Sequence, residues 1–478
     1  MRTSRNGRAF VAALALAVVV APVLLAQGTT VPAGDDPWAR LPDVLSRIVA
    51  PEFPARDFLV TRFGAKGDGK RDASEAFRRA IEACSRAGGG RVVVPPGEFV
   101  TGPIHLKSRV NLHLQKGAVV RFLTDPALYL PPVLTRWEGV ELMGYSPLVY
   151  ALDEESIAVT GEGTLDGGAS EEKWWPWKGK GPEGQRADRD RLLRLAEDGV
   201  PVKDRVFGAG NRLRPPFIEP YRCRNVLIEG ITITNAPFWV IHPVLSQNVT
   251  VRNVKVVSHG PNNDGCDPES SSDVLIEDSL FDTGDDCIAL KSGRNADGRR
   301  LATPVERVVV RRCTMKAGHG GVTIGSEISG GARDVFVEKC EMSSPDLERG
   351  LRIKTNAMRG GVVENVFVRD VTIGQVGNAI DVDMLYEEGA AGAFLPTVRN
   401  VRVERMTVEK AAYALFLRAI DGAPIRGLSV KDSTFRNVAK GNRIEGTVDV
   451  DLRNVTLLPS PAAKKDAPAP AATPAPQR

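Results

Sequence analysis

The stretch NVLIEGITI, residues 225–233, alternates apolar and polar side chains around Gly230. It returns as NVTVRNVKV from Asn248, DVLIEDSLF from Asp273, RVVVRRCTM from Arg307 and DVFVEKCEM from Asp334. NVFVRDVTI from Asn365, NVRVERMTV from Asn400 and GLSVKDSTF from Gly427 complete the series. Successive copies start 23, 25, 34, 27, 31, 35 and 27 residues apart. Each copy is β-branched and alternating, which predicts two short strands around a bend. A fixed motif at such a period marks a repeat architecture. The Leu/Asn consensus of leucine-rich repeats is missing, and the steps are too short for four-stranded propeller blades. One coil of parallel strands per step fits, each burying its apolar face on the next. The expected fold is therefore all-β, a right-handed parallel β-helix. Upstream, DASEAFRRAIEACSRAGG (residues 72–89) has the spacing of an amphipathic helix, suited to cap the open end of a solenoid.

The rest of the chain sets limits. A length of 478 residues with 42% hydrophobic and 26% charged residues fits a globular protein. The net charge of +4 comes from 63 basic and 59 acidic residues. No basic block suggests nucleic acid. Arg2, Arg5 and Arg8 precede an apolar run, after which Ala26-Gln27-Gly28 offers small residues as a −3 and −1 pair. That pattern predicts a cleaved signal peptide over residues 1–28, leading to a secreted or periplasmic protein with no membrane contact after cleavage. The alternative, a membrane anchor, is disfavoured by the short run and by Pro22. Residues 29–55 read as a linker, 56–458 as the β-helix, and the Pro/Ala-rich residues 459–478 as a disordered tail. Six cysteines include no C-x-x-C pair, so no zinc site is expected. Cys313 and Cys340 share one repeat offset and either stack or bond.

Stacking brings equal offsets in neighbouring coils about 4.8 Å apart. Asp285 lies 12 residues after Asp273, and His319 lies 12 after Arg307. Asp264, and then Arg352 and Lys354, fall at looser offsets on the flanking coils. The spacing thus gathers Asp264, the pair Asp285–Asp286, His319, Arg352 and Lys354 on one face. Any one of these alone has a plain alternative: aspartate pairs are usually solvated, and a lone histidine or basic pair is usually structural.

Four motifs carry these residues: PNNDGCD (261–267), GDDCIA (284–289), AGHGGVTIGSE (317–327) and RIKTN (352–356). In this order they resemble glycoside hydrolase family 28, the polygalacturonases, over about residues 56–455. Asn263 departs from the threonine of most members. The resemblance implies that Asp285 is the general acid, that Asp264 and Asp286 hold the nucleophilic water, and that His319 supports Asp285. It implies inversion of configuration, no cofactor and no metal. A paired carboxylate can hold a proton in mild acid because like charges raise each other's pKa. Arg352 and Lys354 alternate on one strand and would clamp a sugar carboxylate, with Tyr386 as a further substrate contact. The implied substrate is a pectic polyuronide, homogalacturonan before rhamnogalacturonan or xylogalacturonan, and the protein is expected to act as a monomer. The segment between Gly167 and Pro215, with Trp174, Trp175 and Trp177, is either a packed outer loop or a wall. WWPWKG and RPPFIEPYRCRNVLIEG look similar to exo-acting bacterial members, which favours the wall. His242 is expected to be buried and structural. The other classes considered are a calcium-dependent pectate lyase, opposed by the Gly-His-Gly and paired-Asp motifs, and a non-catalytic glycan-binding β-helix.

Overall fold

Each repeat motif places its second residue on the same rung. Val226, Val249, Val274, Val308, Val335, Val366, Val401 and Leu428 pair in sequence along one parallel sheet. Beyond the bend, Ile233, Val256, Phe281, Met315, Met342, Ile373, Val408 and Phe435 pair along a second. A third sheet runs through Ile218, Ile241, Cys266, Ile288, Val322, Leu351, Ile380 and Leu415. The computed structural model describes residues 36–179 and 184–460. Within them the chain is a right-handed parallel β-helix, as the repeat predicts. The expected signal peptide and almost all of the expected tail lie outside the described residues.

The bends explain the motif's polar first letter. Asn225, Asn248, Asp273, Asp334, Asn365 and Asn400 all have φ between 53° and 58°. Asn and Asp tolerate this left-handed region better than most residues. Gly427 shares it at φ 61° and Arg307 at 52°. Their side chains form rungs: Asn400 Nδ2 donates to Asn365 Oδ1 at 2.7 Å, and Asn365 Nδ2 to Asp334 Oδ1 at 3.1 Å. Arg307 is the exception in kind, yet its Nε donates to Asp273 Oδ1 at 2.7 Å. Five residues on, the second bend of each copy is also left-handed, from Gly230 and Asn253 to Arg405 and Asp432.

Helix α1 (Leu41–Ser46) follows a 3-10 turn, Pro37–Arg40. These residues correct the expectation of a mere linker. Trp38, Leu41 and Val44 are buried, and Trp38 packs edge-on against Phe336 at 5.6 Å. Helix α2 (Ser74–Arg86) buries Ala76, Phe77, Ala80, Ile81 and Cys84 in the main core beside the first coils. All six cysteines are free and buried, so Cys313 and Cys340 stack as thiols and do not bond.

The segment 167–215 is an insertion with its own structure. It holds a 3-10 turn (Trp175–Lys178), helix α3 (Arg186–Glu197) and a short strand, Val206–Phe207. That strand pairs with Val140–Gly144, the second arm of an antiparallel hairpin begun by Val133–Trp137. Leu192, Ala196, Phe207, Trp137, Leu142 and Trp239 close a small second core between insertion, hairpin and coils.

Candidate active site

The site forms where the third sheet begins. The Gly265 amide donates to the Asp286 carbonyl at 2.9 Å, and the Cys287 amide to the Gly320 carbonyl at 2.8 Å. The His319 amide donates to the Asp285 carbonyl at 3.1 Å. Three consecutive coils thus present Asp264, then Asp285 and Asp286, then His319. Asn263 does not face the site: its Oδ1 accepts from Ser258 Oγ at 2.6 Å and the Gly260 amide at 3.0 Å, closing the turn that presents Asp264. The glycine after His319 is forced by crowding. A Cβ on Gly320 would lie 2.2 Å from Thr323 Oγ1 and 2.8 Å from Asp286 Oδ1.

The three carboxylates bring one oxygen each within 4.8 Å of the others. Asp286 is fully buried and fully bonded. Thr323 Oγ1 donates to Oδ1 at 2.9 Å, Arg352 Nη1 to Oδ1 at 3.2 Å, and Lys354 Nζ to Oδ2 at 2.7 Å. Burial opposes its charge, but Lys354 and Arg352 outweigh burial and hold the carboxyl well below the usual range. Asp285 lies at the surface of the cavity with its side chain 16% exposed, and its Oδ1 shares a proton with His319 Nδ1 at 2.9 Å. Burial raises this carboxyl, but the His319 bond lowers it further, while His319 is raised by the same bond. Asp264 goes the other way. Burial and the charge of Asp285 push it up to about 7. The Tyr386 ring stands 5.2 Å from both the Arg352 guanidinium carbon and Lys354 Nζ.

A cavity of about 500 Å³ opens in front, lined by Asp264, Asp285, His319, Lys354 and Tyr386 on the catalytic side. Lys178, Gln185, Arg186 and Arg189 of the insertion and Glu138 of the hairpin line the other. Clustered carboxylates with distinct proton affinities in a cavity suit acid–base chemistry.

The model of "Glycosyl hydrolases family 28" matches residues 204–432. A hyperthermoactive exopolygalacturonase from Thermotoga maritima is 44% identical, with 88% of this chain and 95% of that one covered and a TM-score of 0.84. The chain belongs to glycosyl hydrolases family 28. It is a glycoside hydrolase. An exo-poly-alpha-D-galacturonosidase of Dickeya chrysanthemi is 27% identical over 389 residues, 73% of this chain and 62% of that protein. A Vitis vinifera protein named "Probable polygalacturonase" is 28% identical over 415 residues, 84% of this chain and 78% of that protein. Residues 58–113 also match the model "Rhamnogalacturonase A/epimerase, pectate lyase-like".

With the family in hand, each expected site residue can be placed. Asp264, Asp285, Asp286, His319, Arg352, Lys354 and Tyr386 all converge. Two expectations change in detail. The expected proton store was the Asp285–Asp286 pair; in this family 28 chain the raised carboxyl is Asp264, because cations and His319 overcome the mutual repulsion of the pair. The tryptophans anchor the insertion and leave the wall itself to other residues. Trp174 packs edge-on with Tyr129 at 5.4 Å and Trp177 at 4.9 Å, and Trp175 Nε1 donates to the Ala236 carbonyl at 2.9 Å. His242 is buried between Glu219 (3.2 Å) and Glu269 (2.9 Å), as expected.

Lys291 was missed. Its buried Nζ lies 3.4 Å from Asp264 Oδ2, 3.8 Å from Asp267 and 3.3 Å from Glu327, and 4.2 Å above the Trp239 ring. Among the described residues, Asp264 Oδ1 has no hydrogen-bond partner. Lys291 thus tethers one oxygen of Asp264 and leaves the other unengaged. Its signal was its place at the end of GDDCIALK, just past the strand Ile288–Leu290 that the aspartate pair precedes. The carboxylate cluster could suggest a cation site, but Lys291, Arg352 and Lys354 already balance its charge. The donor set fits proton transfer better than a metal.

Proposed function

We propose that the protein is an exported, inverting hydrolase that cuts α-1,4 galacturonosyl linkages of pectin from chain ends. The observation that carries this reading is a carboxylate cluster whose Asp264 and Asp285 line a cavity beside Lys354, with one insertion closing the cavity on one side. In this reading Asp286, kept ionised by Arg352 and Lys354, takes the proton of the attacking water. Asp264 orients that water through its unengaged Oδ1. Asp285 protonates the departing glycosidic oxygen, with His319 holding the proton beside it. Lys354 and Tyr386 line the cavity where a sugar carboxylate would lie, with Arg352 behind them beside the Tyr386 ring. A bound uronate adds negative charge and so raises the proton affinity of Asp285 and Asp264. The names of the relatives support the substrate, and the signal-like leader supports export.

The Asp285–His319 pair must carry its proton for Asp285 to act as the acid. The His319 value lies above its usual range, so activity should hold in mild acid and fall as pH rises past it. Inversion is the expected outcome of the resemblance, although the carboxylates stand closer than the usual ~6.5–9.5 Å of inverting pairs. Proton NMR of the first product decides it: the β-anomer means inversion, while the α-anomer would point to a glycosyl-enzyme. In a timed digest of polygalacturonate, reducing ends should appear without an ultraviolet-absorbing double bond. Mono- or disaccharide should dominate from the start. Asp285→Asn should lose at least ~10²-fold in turnover with an unchanged melting curve. An unsaturated product, or wild-type turnover in this variant, overturns the reading.

A further inference from the structure

A charged junction at the far end of the cavity holds none of the groups assigned above to bond cleavage. The hairpin turns at Glu138 and Gly139, with φ 43° and 81°. Two successive left-handed residues make the tight turn that suits a two-residue hairpin loop. Its tip is pressed onto the loop after the third-sheet strand Ile288–Leu290. The Arg294 amide donates to the Gly139 carbonyl at 2.9 Å, and a Cβ on Gly139 would come within 2.7 Å of that nitrogen.

So placed, Glu138 meets two guanidinium groups. Arg189 Nε of α3 donates to its Oε2 at 2.6 Å, and Arg294 Nη1 to the same oxygen at 3.2 Å. Arg294 continues to Glu327 at 3.4 Å and to Glu388, beyond the strand Val376–Asp383, at 3.4 Å. The Glu138 and Arg294 side chains are 9% and 3% exposed. Charges buried this deeply persist only when paired, and removing one partner strands the other. One buried arginine therefore joins four separate pieces of chain: the hairpin, α3 through Glu138, the third sheet and the loop after Asp383. Glu138, Arg189, Arg294 and Glu327 all line the cavity. They stand past the trailing ends of the third-sheet strands, whereas the triad stands at their leading ends.

We propose that Glu138 is a specificity-determining, positioning residue. By locking the hairpin tip to Arg294 and α3 to the hairpin, it holds the wall that limits how many sugars fit beyond the scissile bond. The inference rests on the end-on reading above. Glu138 touches no reacting atom in that scheme, so its loss should change product length more than the chemistry.

The test compares wild type with Glu138→Gln and Arg189→Met. Arg189→Met removes the exposed arm of the junction and keeps the test open if Glu138→Gln folds poorly. Arg222→Met, which breaks a 2.6 Å pair with Asp153 outside the cavity, serves as the control. Each is given de-esterified polygalacturonate and oligogalacturonates of defined length. The readouts are viscosity loss per reducing end formed and the early product series, beside a melting curve. Wild type and control should release mono- or disaccharide with slow viscosity loss. Glu138→Gln or Arg189→Met should raise viscosity loss per cut above that of wild type and give longer early products. An end-on wild type with folded variants that keep its product series overturns this inference alone. A wild type that already cuts at random overturns the end-on reading and this inference with it.

Discussion

Asp286 has both oxygens engaged, while Asp264 keeps one unengaged, and that contrast assigns different work to two carboxylates one coil apart. Lys354 then has two roles to separate, holding Asp286 ionised and facing a uronate. Lys354→Gln removes a cation that lowers Asp286, so Asp286 takes up its proton at a higher pH than in wild type. The acid limb of the pH–rate profile should therefore move upward. Activity on de-esterified galacturonan should fall by about one to two powers of ten, from a charged bond worth roughly 1.5–3 kcal/mol. On methyl-esterified substrate the fall should be smaller, since no sugar charge is lost. Equal losses on both substrates with an unmoved acid limb would leave Lys354 only a packing role. Lys291 makes a cleaner case, because it lies nearer Asp264 than Asp286. Lys291→Met should lower kcat about 10–100-fold through misplacement of Asp264, with KM little changed. An unchanged kcat in a folded variant would show that Lys291 merely fills space against the Trp239 ring. Lys291 was in view in GDDCIALK, but strand alternation alone does not say which charge turns toward a neighbouring coil.

At the scale of the element, the first two sheets were legible because their rungs repeat. The third was not. The loops before its strands differ in length from coil to coil, so no fixed offset from the repeat motif survives there. The site sits on that third sheet, which is why its residues came from four motifs and only their rough alignment from spacing. The bends carry a testable rule. Asn365 has φ 57° and bonds to both neighbouring rungs. Asn365→Ala should cost about 1–3 kcal/mol, combining left-handed strain with lost rungs. Asn365→Gly keeps the backbone at ease and should cost less. Chemical denaturation of the pair measures the order; if glycine is the worse substitute, the side-chain rungs outweigh the backbone. The second bend escapes so simple a rule. It accepts Arg312 and Arg405, whose Nε atoms each donate at 2.7 Å to the aspartate one coil earlier, Asp278 and Asp370.

Across the whole molecule, the repeat revealed the solenoid but not what is wrapped around it. Residues 36–48 looked like linker because thirteen residues with one short helix carry no period; only the buried faces of Trp38, Leu41 and Val44 show that they belong to the body. The insertion was visible as a gap in the pattern, and its tryptophans as anchors or wall. Deciding between those needed the second core and the hairpin. One further property follows from the thiols. All six are unpaired and buried, and burial pushes Cys84 up to about 11 and Cys223 and Cys287 up to about 12. Cys84, Cys223 and Cys287 are therefore poor nucleophiles and poor partners for exchange. The described coils are therefore held by packing and rungs rather than by cross-links, and a reducing agent should leave the melting temperature of the fold unmoved.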